Sequence, residues 1–123
     1  MTDGPDHRGP AGVHHLLGNQ RRLLIIRYLS LFAPGATVEV RHVARVVRGI
    51  EVGKPPRQVS TADYESAYNG LIQRHLPKLA ESGLIEYDEG RKQVTVTPQL
   101  DQYTLIIAAT SVITEVRGES PRL

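Results

Sequence analysis

The chain has 123 residues, 40% of them hydrophobic, which suffices for one modest core and argues against a second domain. It contains no cysteine, so a disulfide framework, a thiolate metal site and a cysteine nucleophile are all excluded. Lys+Arg 15 against Asp+Glu 13 leaves a net charge of +2, which permits nucleic-acid binding without demanding it.

Residues 1–12, MTDGPDHRGPAG, have no apolar stretch of the kind a secretory signal carries and are expected to form a disordered tail. A first helix is predicted from about Asn19 to Phe32. Leu24, Ile25, Tyr28, Leu29 and Phe32 recur there at helical steps, and Asn19 to Arg22 form a polar break near its start. Pro34-Gly35 ends it as a turn dipeptide. Thr37 to Val40 read as a short strand or extended lead-in, and a second helix covers Val40 to Gly49. The next segment, GIEVGKPPRQVST, is too long and too rich in Gly and Pro for a tight helix-turn-helix connection and reads as an insertion.

Ser60 or Thr61 then caps a long third helix, Thr61 to Ser82, with Asp63 placed to suit the helix dipole. Tyr64, Tyr68, Leu71, Ile72, Leu76, Leu79 and Ala80 share one face of it and should lie on the core. Pro77 sits inside this helix and removes a backbone hydrogen bond, so a kink is expected near Gln73. Ser82 and Gly83 stop the helix. Leu84 to Tyr87 begin a strand, Asp88 to Lys92 make a hairpin connection with Gly90 supplying a positive φ, and Val94 to Thr97 return as the second strand. Val94 and Val96 should face the helices, with Thr95 and Thr97 facing out. Pro98 opens a fourth helix whose Leu100, Tyr103, Leu105, Ile106, Ile107, Ala109, Val112, Ile113 and Val116 leave few polar faces. A helix so apolar needs more than one neighbour. Residues 118–123 are expected to fray.

The order helix, short strand, helix, helix, strand, strand, helix is that of a winged helix-turn-helix with an added C-terminal helix, an α+β, mainly α fold. The expected organisation is a winged-helix domain over 13–98 and a terminal helix over 99–117. LLGNQRR at Leu16 to Arg22, HLPKLAESGLIEYD at His75 to Asp88 and VTVTP at Val94 to Pro98 resemble a winged-helix domain of unknown function found in haloarchaea. The HLxKLxxxGLIEY pattern is similar, more widely, to the ArsR, MarR and PadR types of transcriptional regulator. Haloarchaeal proteins are usually strongly acidic, whereas this chain has a pI ≈ 9.2; the excess base marks a nucleic-acid binder or a different host.

The resemblance implies that the third helix enters a DNA major groove while the hairpin wing lies along the backbone or minor groove. Carried over by position, Ser66, Asn69, Gln73 and Arg74, with Lys78 beyond them, would meet the groove. Amides and guanidinium groups read base edges bidentately, and Arg74 is the foremost candidate. Taken alone, the same residues read equally as an ordinary solvated helix face. Arg91 and Lys92 at the wing tip would bind phosphate, although Asp88 and Glu89 stand beside them. Arg41, Arg45 and Arg48 recur at steps of four and three on the second helix and would grip the backbone beside the groove, or else only keep that helix soluble. They belong to the most basic window of the chain, Arg41 to Arg57, with five basic residues against Glu51 alone.

The five histidines show no HExxH or similar spacing, so no metal and no cofactor is expected. His75 fits packing or a phosphate contact. There is no GxSxG, P-loop, paired-carboxylate or GxGxxG motif, so no enzymatic activity is expected. The longest apolar runs fall far short of the roughly 20 residues of a membrane span, and a soluble cytoplasmic protein is expected. The expected partners are double-stranded DNA and a second copy of the chain, joined through the C-terminal helix. The alternative is a winged-helix module that contacts only protein.

Overall fold

The computed structural model describes the backbone of residues 10–119, and the side chains of residues 20–106, 108 and 109. Helix α1 spans Pro10–Leu29, strand β1 Thr37–Glu39 and helix α2 Val40–Val52. A 3-10 turn at Pro56–Gln58 leads to α3, Thr61–Gly70. A π-helical stretch, Leu71–His75, joins α3 to α4, Leu76–Glu81. Strands β2, Ile85–Asp88, and β3, Gln93–Val96, form the wing, and α5 runs Pro98–Glu119. The fold is α+β, mainly α, with the winged-helix order of elements.

Several boundaries differ from those read in the sequence. α1 begins at Pro10, not near Asn19, because proline suits a first helical turn and the polar run Asn19 to Arg22 is fully compatible with helix. Residues 10–12 therefore belong to a helix. The remainder of the expected tails, residues 1–9 and 120–123, lies outside the described residues. α2 continues past Gly49 to Val52 and closes on Gly53, which takes the left-handed conformation (φ 71) and leaves Lys54 N–H to bond the Gly49 carbonyl at 2.9 Å. A Cβ on Gly49 would lie 2.6 Å from the Lys54 carbonyl oxygen, so only glycine lets the chain fold back there. The presumed insertion is thus partly helix and partly a close return.

The sheet has three strands in the order β1-β3-β2, all antiparallel. Thr37 pairs with Thr95 and Val38 with Val94 on one side of β3, while Ile85 pairs with Val96 and Tyr87 with Val94 on the other. The expected two-stranded wing therefore rests on a third strand. Val94 and Val96 are buried as their alternation requires. The Thr97 hydroxyl lies between the carbonyls of Gly83 (2.9 Å) and Leu84 (2.8 Å), tying the exit of the wing to its entry.

The core gathers Ile25 and Leu29 of α1, Val40, Val43 and Val47 of α2, Leu71 and Leu76 around the π-stretch, Ile85 of the wing and Leu100 of α5. Each such side chain contributes about 1.5–3 kcal/mol when fully withdrawn from water. Because Leu100 is fully buried, the first turn of α5 belongs to this core and not to a separate terminal element. Farther along, Leu105 is 70% exposed.

Pro77 acts through the π-stretch. Proline has no N–H for the Gln73 carbonyl, and its ring crowds that carbonyl. The helix widens around Gln73, and Leu76 N–H bonds to the Leu71 carbonyl five residues back. With that spacing Leu71 and Leu76, which regular α-helix would splay apart, both reach the core. The discontinuity expected near Gln73 is thus a π-turn.

Candidate functional site

The ends of α2 and α3 are fixed by ion pairs. Ser60 caps α3, accepting a hydrogen bond from Asp63 N–H at 3.1 Å, and its hydroxyl donates to the Asp63 carboxylate at 3.1 Å. Arg48 reaches across from α2 and donates to the other Asp63 oxygen from Nη2 at 2.7 Å and Nε at 3.2 Å. Its Nη1 donates to Glu51 at 3.0 Å. Arg21 of α1 grips the same Glu51 with two bonds of 2.8 Å. Four residues thus bind three helices.

The electrostatics follow. The hydrogen bonds that Arg48 donates to Asp63 and Glu51 hold its guanidinium above its ordinary pKa. Burial pushes the Glu51 carboxyl up, but the bonds from Arg21 and Arg48 outweigh it and leave the group below the usual carboxylate range. The bonds from Arg48 and Ser60 hold Asp63 low as well. Arg48, expected to grip DNA, has every guanidinium nitrogen committed to a carboxylate, because helical spacing sets Glu51 three residues along the same helix and helix packing brings Asp63 to it. It is an internal tie between α2 and α3.

Of the remaining predicted residues, all but Arg45 and Lys78 line two clefts. Arg41 of α2 and Arg91 and Lys92 of the wing line one, a space of about 330 Å³ shared with Glu39, Tyr64 and Tyr68. Arg45 places its guanidinium carbon 4.4 Å from the centre of the Tyr64 ring, a cation–π contact on the α3 side. Glu39 pairs with Arg41 and takes part of its charge. Tyr64 and Tyr68, their rings tilted by 36° with centres 5.6 Å apart, carry the wall between α2 and the wing, so two residues read as core are also surface.

The wing tip departs from the expected geometry. Gly90 does not supply the left-handed residue; Lys92 does, with φ 54. The Asp88 carboxylate accepts the Arg91 N–H at 3.0 Å, closing the turn, and the Lys92 ammonium donates to the Glu89 carbonyl at 2.8 Å. The Lys92 carbonyl accepts Val40 N–H at 3.0 Å, so the first residue of α2 is pinned to the wing. A non-glycine residue there costs of order 1–2 kcal/mol.

Ser66, Asn69, Gln73 and Arg74 are all exposed and line the other cleft, about 770 Å³ between α1, α2 and α3. Arg21, Arg48, Glu51 and His75 also border it. Lys78 is exposed on α4 and lines neither cleft. The predicted residues are therefore brought together in two groups and not along one stripe. Arg21 was not anticipated, since its partner Glu51 is 30 positions away and no local spacing links the two.

His75 is buried at 2% exposure and its Nδ1 has no hydrogen-bond partner among the described residues. Burial, followed by the charges of Arg22, Arg21 and Arg74, lowers its pKa to about 4, so the ring is neutral at physiological pH. Arg22 Nε and the Tyr87 hydroxyl are likewise buried without a partner among the described residues.

Among the described residues no group of three or more His, Asp or Glu is placed to hold a metal ion, and no helix is long and apolar enough to cross a membrane. The sequence of residues 14–95 matches the family model of a domain of unknown function, DUF7344. No curated protein and no solved structure matches the chain.

Proposed function

This chain belongs to the DUF7344 family, and from its geometry we propose that it is a DNA-binding transcriptional regulator. The observation that carries the reading is the convergence of cations from α2 and the wing beside the first turns of α3. Arg41, Arg91 and Lys92 line one cleft with Tyr64 and Tyr68, and Arg45 stacks on Tyr64. Such a group neutralises backbone phosphates and sets register without reading sequence. α3 presents exposed Ser66 and Asn69, and the π-stretch that continues it presents exposed Gln73 and Arg74, for the base edges. Arg48 is left out of this assignment, because its charge is spent on Glu51 and Asp63.

A regulator of this kind works in the cytoplasm as a two-fold dimer whose α3 helices meet half-sites of a palindrome. The terminal helix α5 is the proposed dimer contact. Leu105 and Tyr103, 70% and 40% exposed, favour this, and they equally favour the second reading, a winged-helix module that contacts protein alone.

Two substitutions test the assignment once bound fragments have been selected from a genomic library. By fluorescence anisotropy, Arg74→Ala should lose the preference for the selected duplex over a scrambled one, whereas Arg91→Ala should weaken both alike. Unchanged binding in both variants would count against the proposal.

A further inference from the structure

The larger cleft has properties that reading a groove does not require. Its volume, about 770 Å³, lies in the range of small-molecule sites. Leu24 and Ile50 give it apolar wall, and Ser66, Asn69, Gln73 and Arg74 give it hydrogen-bond donors. Among the described residues Glu51 is the one acid on its lining, and both of its oxygens are already held by Arg21 and Arg48. The balance of the cleft is donor-rich and positive.

Two details show that this arrangement is built into the fold. Arg21 spends Nε and Nη2 on Glu51, while its Nη1 lies over Gly70, 3.2 Å from where a Cβ would stand. A glycine in mid-helix is otherwise unfavourable by about 1 kcal/mol, and here it makes room for that guanidinium. His75, which also lines the cleft, carries a buried Nδ1 that no described residue satisfies.

We infer that this cleft binds a small organic anion, with the anionic group between Arg74 and Arg21 and the remainder against Leu24 and Ile50, and that the occupant displaces DNA from Asn69, Gln73 and Arg74. The displacement rests on the DNA-binding reading; the binding does not. A phosphate monoester and a carboxylate share the required chemistry, since guanidinium pairs with either. An anion there offsets the charges that hold the His75 proton off, so the ring's proton affinity rises on binding. His75 is a reporter of the occupied cleft.

The test is NMR on the full chain, following the His75 imidazole nitrogens while adenosine 5′-monophosphate, citrate or uncharged adenosine is added at a fixed pH of about 5, close enough to the folded pKa for a rise to be read. The expected result is a saturable shift toward the protonated form with at least one anion and none with adenosine. Arg74→Ala, an exposed position, should weaken that binding by about tenfold. No saturable shift with either anion, or an equal one with adenosine, overturns the site. A bound anion that leaves duplex affinity unchanged overturns the displacement. Anion binding in a protein that binds no duplex leaves this site standing and overturns the DNA-binding reading instead.

Discussion

Arg21 holds Glu51 by both ends, Nε to Oε2 and Nη2 to Oε1, each at 2.8 Å, and so clamps α1 to the last turn of α2. Arg48 takes the same carboxylate from within α2 and carries the connection on to Asp63 at the start of α3. Glu51 is the centre of this chain of charges, with 17% of its side chain exposed. Removing it leaves Arg21 and Arg48 partly buried and facing one another. Glu51→Ala should therefore lower stability by about 2 kcal/mol, as hydrogen bonds to charged groups imply. Urea unfolding would read this as a lower midpoint at an unchanged slope, and a change under about 0.5 kcal/mol would show the clamp to be ornamental.

Two glycines should respond in opposite ways to alanine. At Gly49 the new Cβ meets the Lys54 carbonyl oxygen at 2.6 Å, and backbone must move. A loss of about 1–3 kcal/mol is expected. At Gly70 the nearest atom is Arg21 Nη1 at 3.2 Å, the guanidinium nitrogen not bonded to Glu51, which must give by only a few tenths of an ångström, and alanine favours helix. Gly70→Ala should be neutral or mildly stabilising in the same unfolding experiment, while disturbing the position of Arg21.

Lys92 holds a left-handed conformation at φ 54. Glycine adopts it without strain, so Lys92→Gly should gain about 1 kcal/mol of stability. The same change removes a cation from the cleft of Arg41 and Arg91 and should weaken DNA binding at every sequence. Stability and affinity moving in opposite directions is the expected signature. If both fall, strain at the wing tip is not what the substitution relieves.

His75 predicts a pH dependence whose sign is fixed. Its folded pKa, about 4, lies below the ordinary 6.5, so the unfolded chain binds more protons between those values. Its contribution is present above pH 6.5 and is lost as pH falls toward 4. The full loss is about 3 kcal/mol, or less where the fold relaxes around the charged ring. Glu51 and Asp63, both held low, add to the loss as pH falls through the usual carboxylate range and below it. Urea midpoints at pH 7 and pH 5 isolate the histidine, and equal midpoints would contradict its neutral burial.

The buried face of α3 and α4, the Ser60 cap, the wing strands and the helix opening at Pro98 were legible in the sequence, since each rests on local spacing or local chemistry. The discontinuity at Gln73 was legible through Pro77, although its form as a π-turn depends on where Leu71 and Leu76 must reach. What escaped was long-range. Periodicity places Arg41, Arg45 and Arg48 on one face of α2, but only packing decides that Arg48 meets Asp63 while Arg45 meets Tyr64. The pairing of Thr37 with Thr95 and the position of Arg21 beside Glu51 are of the same kind. At the wing, residue type favoured Gly90 for the left-handed position, whereas the pairing of Asp88 with Gln93 moved it to Lys92.

DNA binding itself is tested most directly by the salt dependence of the unmodified protein. Fluorescence anisotropy against genomic duplex fragments should show binding at about 50 mM salt that falls steeply by about 200 mM. The logarithmic slope should be near −0.9 for each phosphate neutralised, and Arg91→Ala should reduce it by about one. Absence of binding to any duplex at the lower salt would contradict the proposal and leave the exposed side chains of α5 as the place to seek a protein partner.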